Sequence, residues 1–110
     1  MFMSVAALRP GVVRTLTDWE KMVERIVRIV NDPGLHLRSA STFVKAAGRF
    51  KSDVWVMKDG IEVNGKSILG VISLVAEYGS SITIRAKGAD EEQAVNALAT
   101  LVENRFYEEA

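Results

Sequence analysis

The sequence predicts an α+β fold in which a four-stranded antiparallel sheet carries three helices on one face. The main observation is the order of the apolar patterns, which alternate between strand and helix periods as β-α-β-β-α-β-α after an N-terminal extension. The length of 110 residues suits one domain with one core. A composition of 48% hydrophobic and 25% charged residues is typical of a globular chain.

The residue totals exclude several functional classes. The 14 Lys and Arg residues balance the 14 Asp and Glu residues, so no net charge attracts nucleic acid. The absence of cysteine excludes disulfides and thiol catalysis, and a single histidine argues against a transition-metal site. The sequence contains no secretion signal and no apolar run of the roughly 18–20 residues that a membrane span needs. We therefore expect a cytoplasmic protein without membrane insertion.

The chain divides into an N-terminal extension, residues 1–22, and a domain, residues 23–110. The extension looks like a tail followed by a short helix, because Thr17 and Glu20 have the spacing of a capping box. Three interpretations stay open: this helix covers the outer face of the sheet, the extension is a disordered tail, or the chain has its true start at Met22.

Four segments have the composition of strands. Residues 25–31 form a β-branched run that ends at a turn. Residues 54–57 and 61–63 flank Asp59-Gly60, which predicts a β-hairpin with a two-residue turn. Residues 81–86 alternate between apolar and polar side chains, which predicts the last strand of the sheet.

Three helices follow from apolar spacing and capping residues. The first begins after His36, and the second begins at Ser67 and continues to Tyr78-Gly79. The second helix has too many apolar residues for one buried stripe, so we expect some of them to be exposed. The third begins after Asp90, which we expect to cap it. The first helix has the apolar stripe Ala40, Phe43, Val44, Ala47 and Phe50, and the third has Ala94, Val95, Leu98, Leu101, Val102 and Phe106.

The only histidine lies where a loop meets the first helix, in Gly34-Leu35-His36-Leu37-Arg38. A lone histidine is most often a surface or core residue, but this position favours a phosphohistidine site. Histidine can accept a phosphoryl group near neutral pH, and the free amides of a helix N-terminus bind anions. His36 would be the phosphoryl acceptor. Arg38 would stabilise the transferred group with its guanidinium, together with the Leu37 and Arg38 backbone amides.

These residues and two further motifs resemble the histidine-containing phosphocarrier (HPr) family of the bacterial phosphotransferase system. The active-site motif of the family matches the histidine segment, and its second motif, around a regulatory serine, matches Lys66-Ser67-Ile68-Leu69-Gly70-Val71. The start of the last helix, residues 88–92, also fits. The resemblance covers about residues 23 to 106. It implies an open-faced β-sandwich with strand order 1-4-2-3 and three helices on one side.

The resemblance also implies a function. His36 would receive a phosphoryl group from enzyme I, charged by phosphoenolpyruvate, on the ring nitrogen that faces the helix N-terminus. It would pass the group to the A-component of a sugar permease (enzyme II) or to a regulatory relative. The protein would thus be a carrier in sugar transport and not an enzyme. Proteins of this type need no metal or bound cofactor, and we expect a monomer.

The second motif has two interpretations. Ser67 is placed to cap its helix, and in many members of the family the matching serine is phosphorylated by an HPr kinase/phosphorylase. A phosphate there would repel an acidic partner surface and lower transfer from enzyme I. The apolar residues Ile68, Leu69 and Ile72 belong either to the core or, as the resemblance implies, to a docking patch with Leu37 beside the histidine.

Two positions depart from the family pattern beside the histidine. Ser39 replaces a proline that most members have, which predicts a less rigid turn with an additional donor. Leu37 replaces a smaller residue. Both changes should affect the lifetime of the phosphohistidine and the choice of partner.

Two other functional classes share some of these features. One is a regulatory module of the same fold whose Ser67 state controls a transcription factor or metabolic enzyme, without sugar transport. Retention of His36 and Arg38 argues against it, because regulation alone has no chemical need for that pair. The other is an unrelated module that binds RNA or a small ligand. Zero net charge and the lack of a glycine-rich phosphate loop argue against this class.

Overall fold

The computed structural model describes residues 12–14 and 22–108. The described strands form one sheet in the order β1-β2-β5-β3-β4, with antiparallel neighbours. The strands β2 to β5 therefore have the predicted order 1-4-2-3, and the predicted fold class is confirmed. The elements in chain order are β1 (Val12–Arg14), β2 (Val23–Arg28), α1 (Leu37–Ala47), β3 (Asp53–Lys58), β4 (Ile61–Asn64), α2 (Ile68–Ser73), β5 (Ser81–Lys87) and α3 (Glu91–Glu103).

The strand β1 lies in the segment that the sequence predicts as a tail. It pairs with β2 from Val12↔Arg25 to Arg14↔Val23, so the tail prediction is wrong for these residues. The β-branched pair Val12-Val13 suits a strand, and β2 would otherwise present an unpaired edge. The predicted helix that follows β1 lies outside the described residues. The division of the chain at residue 23 stays a prediction.

The core lies between the sheet and the helices. The strand register brings apolar pairs such as Val27↔Ile82 and Val56↔Ile84 onto the same face, and all four side chains are buried. On this face α3 lies against β2 and β5, α2 contacts β4, and α1 packs against both other helices. Ile26, on the outer face, is 67% exposed. None of the helices within the described ranges has both the length and the apolar composition needed to cross a membrane.

The predicted hairpin between β3 and β4 is confirmed. Asp59 and Gly60 both have positive φ, 53° and 81°, as a two-residue turn of this kind requires. Val56 and Val63 are paired across the two strands.

The helix α2 is shorter than predicted, because it ends at Ser73 and not at Tyr78-Gly79. Val75 has a φ of 51°, which breaks the helix. The chain then runs beside the loop that precedes α1, where Leu35 N–H donates to Ala76 O at 2.8 Å. Pairing with this loop is a tertiary interaction that the helical spacing of α2 does not reveal.

The last helix also ends earlier than its apolar stripe predicts. Its last helical residue is Glu103, and Phe106 lies in a turn formed by Arg105–Tyr107. Phe106 is nevertheless 2% exposed, so its predicted place in the core is correct although its predicted helical conformation is wrong. Likewise, Phe50 lies beyond the end of α1 but packs against the core.

The predicted side-chain cap at Asp90 is absent. Its carboxylate accepts hydrogen bonds from the Lys51 and Ser52 amides and from the Ser52 hydroxyl, and it makes no capping bond to α3. The Ser52 hydroxyl, followed by the Lys51 amide, lowers the pKa of Asp90 from 3.8 to about 2. Asp90 therefore fastens the start of α3 to the chain that enters β3.

Candidate functional site

The loop before α1 is held close to the segment that follows α2. Gly34 has a φ of 108°, and a Cβ at this position would lie 2.4 Å from Ala76 O and 2.8 Å from Glu77 Cα. An L side chain is therefore excluded by both conformation and space. This close approach fixes where the chain enters α1.

His36 is the N-cap residue of α1. Its backbone is extended, and its Nδ1 atom accepts a hydrogen bond from the Arg38 amide at 3.1 Å. The amides at a helix N-terminus lack partners within the helix, so the ring nitrogen takes the place that an anion would otherwise occupy. The side chain is 35% exposed. The imidazole is therefore both accessible and oriented, with Nδ1 facing the helix N-terminus.

Ser39 holds the loop and the helix start together. Its side chain is fully buried, and its hydroxyl accepts from the His36 amide at 3.0 Å and donates to Gly34 O at 2.8 Å. A proline could make neither hydrogen bond. These two contacts oppose the loss of the fixed φ of proline, and the predicted lower rigidity of this turn stays a prediction.

The second ring nitrogen of His36 faces a carboxylate. Nε2 lies 3.3 Å from Glu108 Oε2, and Glu108 Oε1 accepts a hydrogen bond from Asn31 Nδ2 at 3.2 Å. Sequence analysis missed both residues. No local signal could have revealed them, because they come together only when the end of the chain folds back, 77 positions after Asn31.

The Arg38 side chain is exposed. Within the part of the chain that the structure describes, its guanidinium has no acidic partner. The Arg38 amide donates to Nδ1, so this residue contributes a backbone donor to the ring and carries a permanent positive charge on an exposed side chain. The structure thus places His36 and Arg38 together, as the sequence predicts.

Comparison with known families identifies the chain. A family model described as PTS HPr component phosphorylation site matches residues 23–104. The chain belongs to the HPr family. The phosphocarrier protein HPr of Neisseria meningitidis serogroup A is 42% identical over 87 residues, which cover 79% of this chain and 98% of that protein. The HPr-like protein Crh of Bacillus subtilis is 44% identical over 82 residues, which cover 74% of this chain and 96% of Crh.

Solved HPr structures agree with the fold. The crystal structure of HPr from Thermoanaerobacter tengcongensis matches with a TM-score of 0.76 at 45% identity, covering 79% of this chain and 98% of that chain. Another crystal structure of HPr from that organism is a dimer, with a TM-score of 0.64 at 45% identity, covering 74% of this chain and 94% of that chain. The resemblance that the sequence motifs indicated is confirmed.

In this HPr family member Ser67 is the N-cap of α2. Its Oγ atom accepts a hydrogen bond from the Gly70 amide at 3.1 Å. The interpretation of Ser67 as a helix cap is therefore confirmed. The side chain is partly exposed.

The four apolar residues predicted to form a docking patch differ in exposure. Leu37 is 68% exposed and Leu69 is 78% exposed. Ile68 and Ile72 are only partly exposed and pack against the core. The helices that carry these residues contact each other. The predicted exposure of some apolar residues after Ser67 is confirmed by Leu69 and Val75, and sequence analysis did not single out three other exposed side chains: Ile61, Tyr78 and Tyr107.

Proposed function

We propose that this HPr family member is a phosphocarrier that accepts a phosphoryl group on His36 from phospho-enzyme I and passes it to the A-component of a sugar permease or to a regulatory relative. The observation that carries the proposal is the position of His36 Nδ1 at the open N-terminus of α1. A nucleophile that already contacts a helix amide holds its phosphoryl group where anions bind best.

The surrounding groups support this chemistry. Once Nδ1 carries phosphorus, the Arg38 amide is free to donate to a phosphoryl oxygen, as is the neighbouring Leu37 amide. The exposed Arg38 guanidinium can reach the same oxygens with paired donors. Binding, transfer and release then require only a small movement of the ring.

The proposed partners follow from this role. Enzyme I supplies the phosphoryl group, the A-component of enzyme II receives it, and the protein acts as a cytoplasmic monomer without a bound cofactor. The exposed Leu37 and Leu69, with the partly exposed Ile68 and Ile72, are the proposed docking surface. A small apolar surface suits the brief complexes that a relay needs.

Labelled phosphoenolpyruvate and enzyme I test the proposal. Wild type should acquire an acid-labile label that is absent from His36→Ala. Arg38→Ala should accept the label about 10- to 100-fold more slowly, because hydrogen bonds from one charged donor are lost. Arg49→Ala, which removes an exposed arginine in the turn after α1, is the matched control and should behave as wild type. A wild-type protein that takes no label from a competent enzyme I would refute the relay.

Phosphorylation of Ser67 by an HPr kinase/phosphorylase is the proposed regulation. The Ser67 hydroxyl accepts the Gly70 amide, so phosphate oxygens could keep that contact while adding negative charge beside the docking surface. Transfer from enzyme I should fall after treatment with ATP and the kinase. Ser67→Ala should be insensitive to this treatment, and an equal loss of transfer in that variant would contradict the assignment.

A regulatory module is the second candidate. The observation that favours it is the 44% identity to Crh of Bacillus subtilis, a protein described as a catabolite repression HPr. In this case Ser67 would control binding to a transcription factor or metabolic enzyme. The pair His36 and Arg38 favours the relay. Ser67-dependent binding without labelling of His36 would reverse the order of the two candidates.

A further inference from the structure

The described end of the chain turns back toward the histidine. Arg105, Phe106 and Tyr107 have φ values of 59°, 56° and 57°, a left-handed conformation that is costly for residues with a Cβ. Burial of Phe106, which is 2% exposed, opposes this cost. The turn therefore has an anchor in the core, and the residue that follows it has a defined position.

That residue, Glu108, contacts the site at two points. One carboxylate oxygen, Oε2, is buried, makes no hydrogen bond within the described residues and lies 3.3 Å from His36 Nε2. The other, Oε1, accepts a hydrogen bond from the Asn31 side-chain amide at 3.2 Å. Asn31 is 4% exposed and also donates to Gly34 O at 2.9 Å. The Glu108 side chain is itself only 13% exposed. The Glu108 carboxylate is therefore largely shielded from solvent, and the buried Asn31 amide that holds it also binds the loop before His36.

We propose that Glu108 is a positioning residue for His36. The two nitrogens of a neutral imidazole are not equivalent, and a carboxylate beside one of them favours the tautomer with the proton on that nitrogen. A proton on Nε2 leaves the lone pair on Nδ1, where the Arg38 amide already donates. Glu108 thereby selects the nitrogen that reacts. The inference rests on the proposed function, because it assigns a role within phosphoryl transfer.

The transfer step balances with this arrangement. The Nδ1 lone pair forms the bond to phosphorus while the bond between phosphorus and enzyme I breaks, and that electron pair stays with enzyme I. Nε2 keeps its proton, so the ring gains positive charge as the new bond forms. The Glu108 carboxylate, on the side of the ring opposite the phosphoryl group, stabilises that charge.

Nitrogen NMR of the unphosphorylated protein tests the tautomer directly. In protein labelled with ¹⁵N-histidine, wild type should show a protonated Nε2 and an unprotonated Nδ1. In Glu108→Gln the two shifts should move toward each other as the tautomers mix. Glu62→Gln removes the same charge from the outer face of the sheet, where Glu62 pairs with Arg85, and should leave the shifts unchanged. Identical spectra for wild type and Glu108→Gln would overturn the proposal.

Labelling rates provide the functional half of the test. Glu108→Gln should accept the phosphoryl group about three- to tenfold more slowly than wild type, the range expected for loss of one partly screened electrostatic contact. Asn31→Ala should slow labelling in wild type more than in the Glu108→Gln background, because it acts partly through Glu108. A changed tautomer with an unchanged rate would overturn the positioning role. If wild type takes no label at all, the relay fails, and the nitrogen shifts still show whether Glu108 selects the tautomer.

Discussion

The helices α1 and α2 both begin with a side-chain N-cap hydrogen bond, but the two helix starts differ in their surrounding contacts. At the start of α1, His36 Nδ1 accepts a hydrogen bond from a backbone amide at 3.1 Å. At the start of α2, Ser67 Oγ accepts the corresponding hydrogen bond, also at 3.1 Å. The α1 start has further supports: the buried Ser39 hydroxyl, the close contact at Gly34, and Glu108 on the second ring nitrogen. The α2 start has one side-chain capping bond on a helix of six residues. The chain that enters it is held at Asn64, which accepts the Ser67 and Lys66 amides, and among the described residues no buried side chain of α2 itself bonds to that loop as Ser39 does in α1.

This difference matches the two proposed roles, because His36 is a nucleophile and Ser67 is a site of modification. A nucleophile must keep one orientation through successive encounters, so contacts on both sides of the imidazole serve its chemistry. A hydroxyl that a kinase must reach benefits from partial exposure and few partners. We therefore expect loss of a supporting contact at the α1 start to cost both stability and transfer, whereas loss of the Ser67 hydroxyl at the α2 start should cost less stability and leave transfer from enzyme I unchanged.

The largest effect is expected from Gly34→Ala. The new Cβ would meet Ala76 O at 2.4 Å with φ at 108°, and together the strain and the overpacking should lower the free energy of unfolding by about 2–4 kcal/mol. Denaturant titration measures this change. Gly48→Ala is the matched control, because Gly48 has a φ of −66° and the nearest atom is at 3.4 Å. It should stay within about 1 kcal/mol of wild type, and equal losses in the two variants would contradict the account of the loop.

Removal of a single hydroxyl from each helix start compares the two regions directly. Ser39→Ala leaves the His36 amide without its partner and leaves Gly34 O with the Asn31 side-chain amide alone, so it should cost about 1–3 kcal/mol. Ser67→Ala removes one partly exposed cap and should cost about 0.5–2 kcal/mol. Only the first should slow phosphorylation by enzyme I. Equal effects on transfer would mean that the α1 start is not specially supported.

The smallest effect concerns the third helix start, where Asp90 binds the Lys51–Ser52 segment and not its own helix. The Ser52 hydroxyl and the Lys51 amide lower the pKa of Asp90 to about 2. Because the folded-state pKa lies below the unfolded value, this contribution to stability is complete above about pH 4 and is lost as the pH falls through about 2. In Asp90→Asn, the free energy of unfolding should depend less on pH between about pH 4 and 2. An unchanged acid dependence would show that these hydrogen bonds are weak in solution.

Much of the fold could be predicted from local patterns. Apolar alternation placed the β3–β4 hairpin and β5, and the motif around His36 placed the start of α1, because these features depend on neighbours in the sequence. The errors arose where distant segments meet. The end of α2 depends on pairing beside Gly34, and the Asp90 carboxylate has partners near residue 51.

The same reasoning explains what was missed at the site. His36 and Arg38 are two positions apart and share a motif, so sequence alone indicated both. The supporting residues Asn31 and Glu108 are separated by nearly the whole domain and carry no motif. The strand β1 was missed because three residues are too few for a clear alternation, and its formation depends on the free edge of β2.

The central claim, that the phosphoryl group is carried on His36 Nδ1 at the start of α1, has one direct test. The ³¹P and ¹⁵N spectra of the protein, after reaction with enzyme I and phosphoenolpyruvate, locate the phosphorus on one imidazole nitrogen. We expect one phosphohistidine, with the phosphorus coupled to Nδ1, and no such signal in His36→Ala. Phosphorus on Nε2, or a phosphohistidine-type signal that persists in His36→Ala, would contradict the claim.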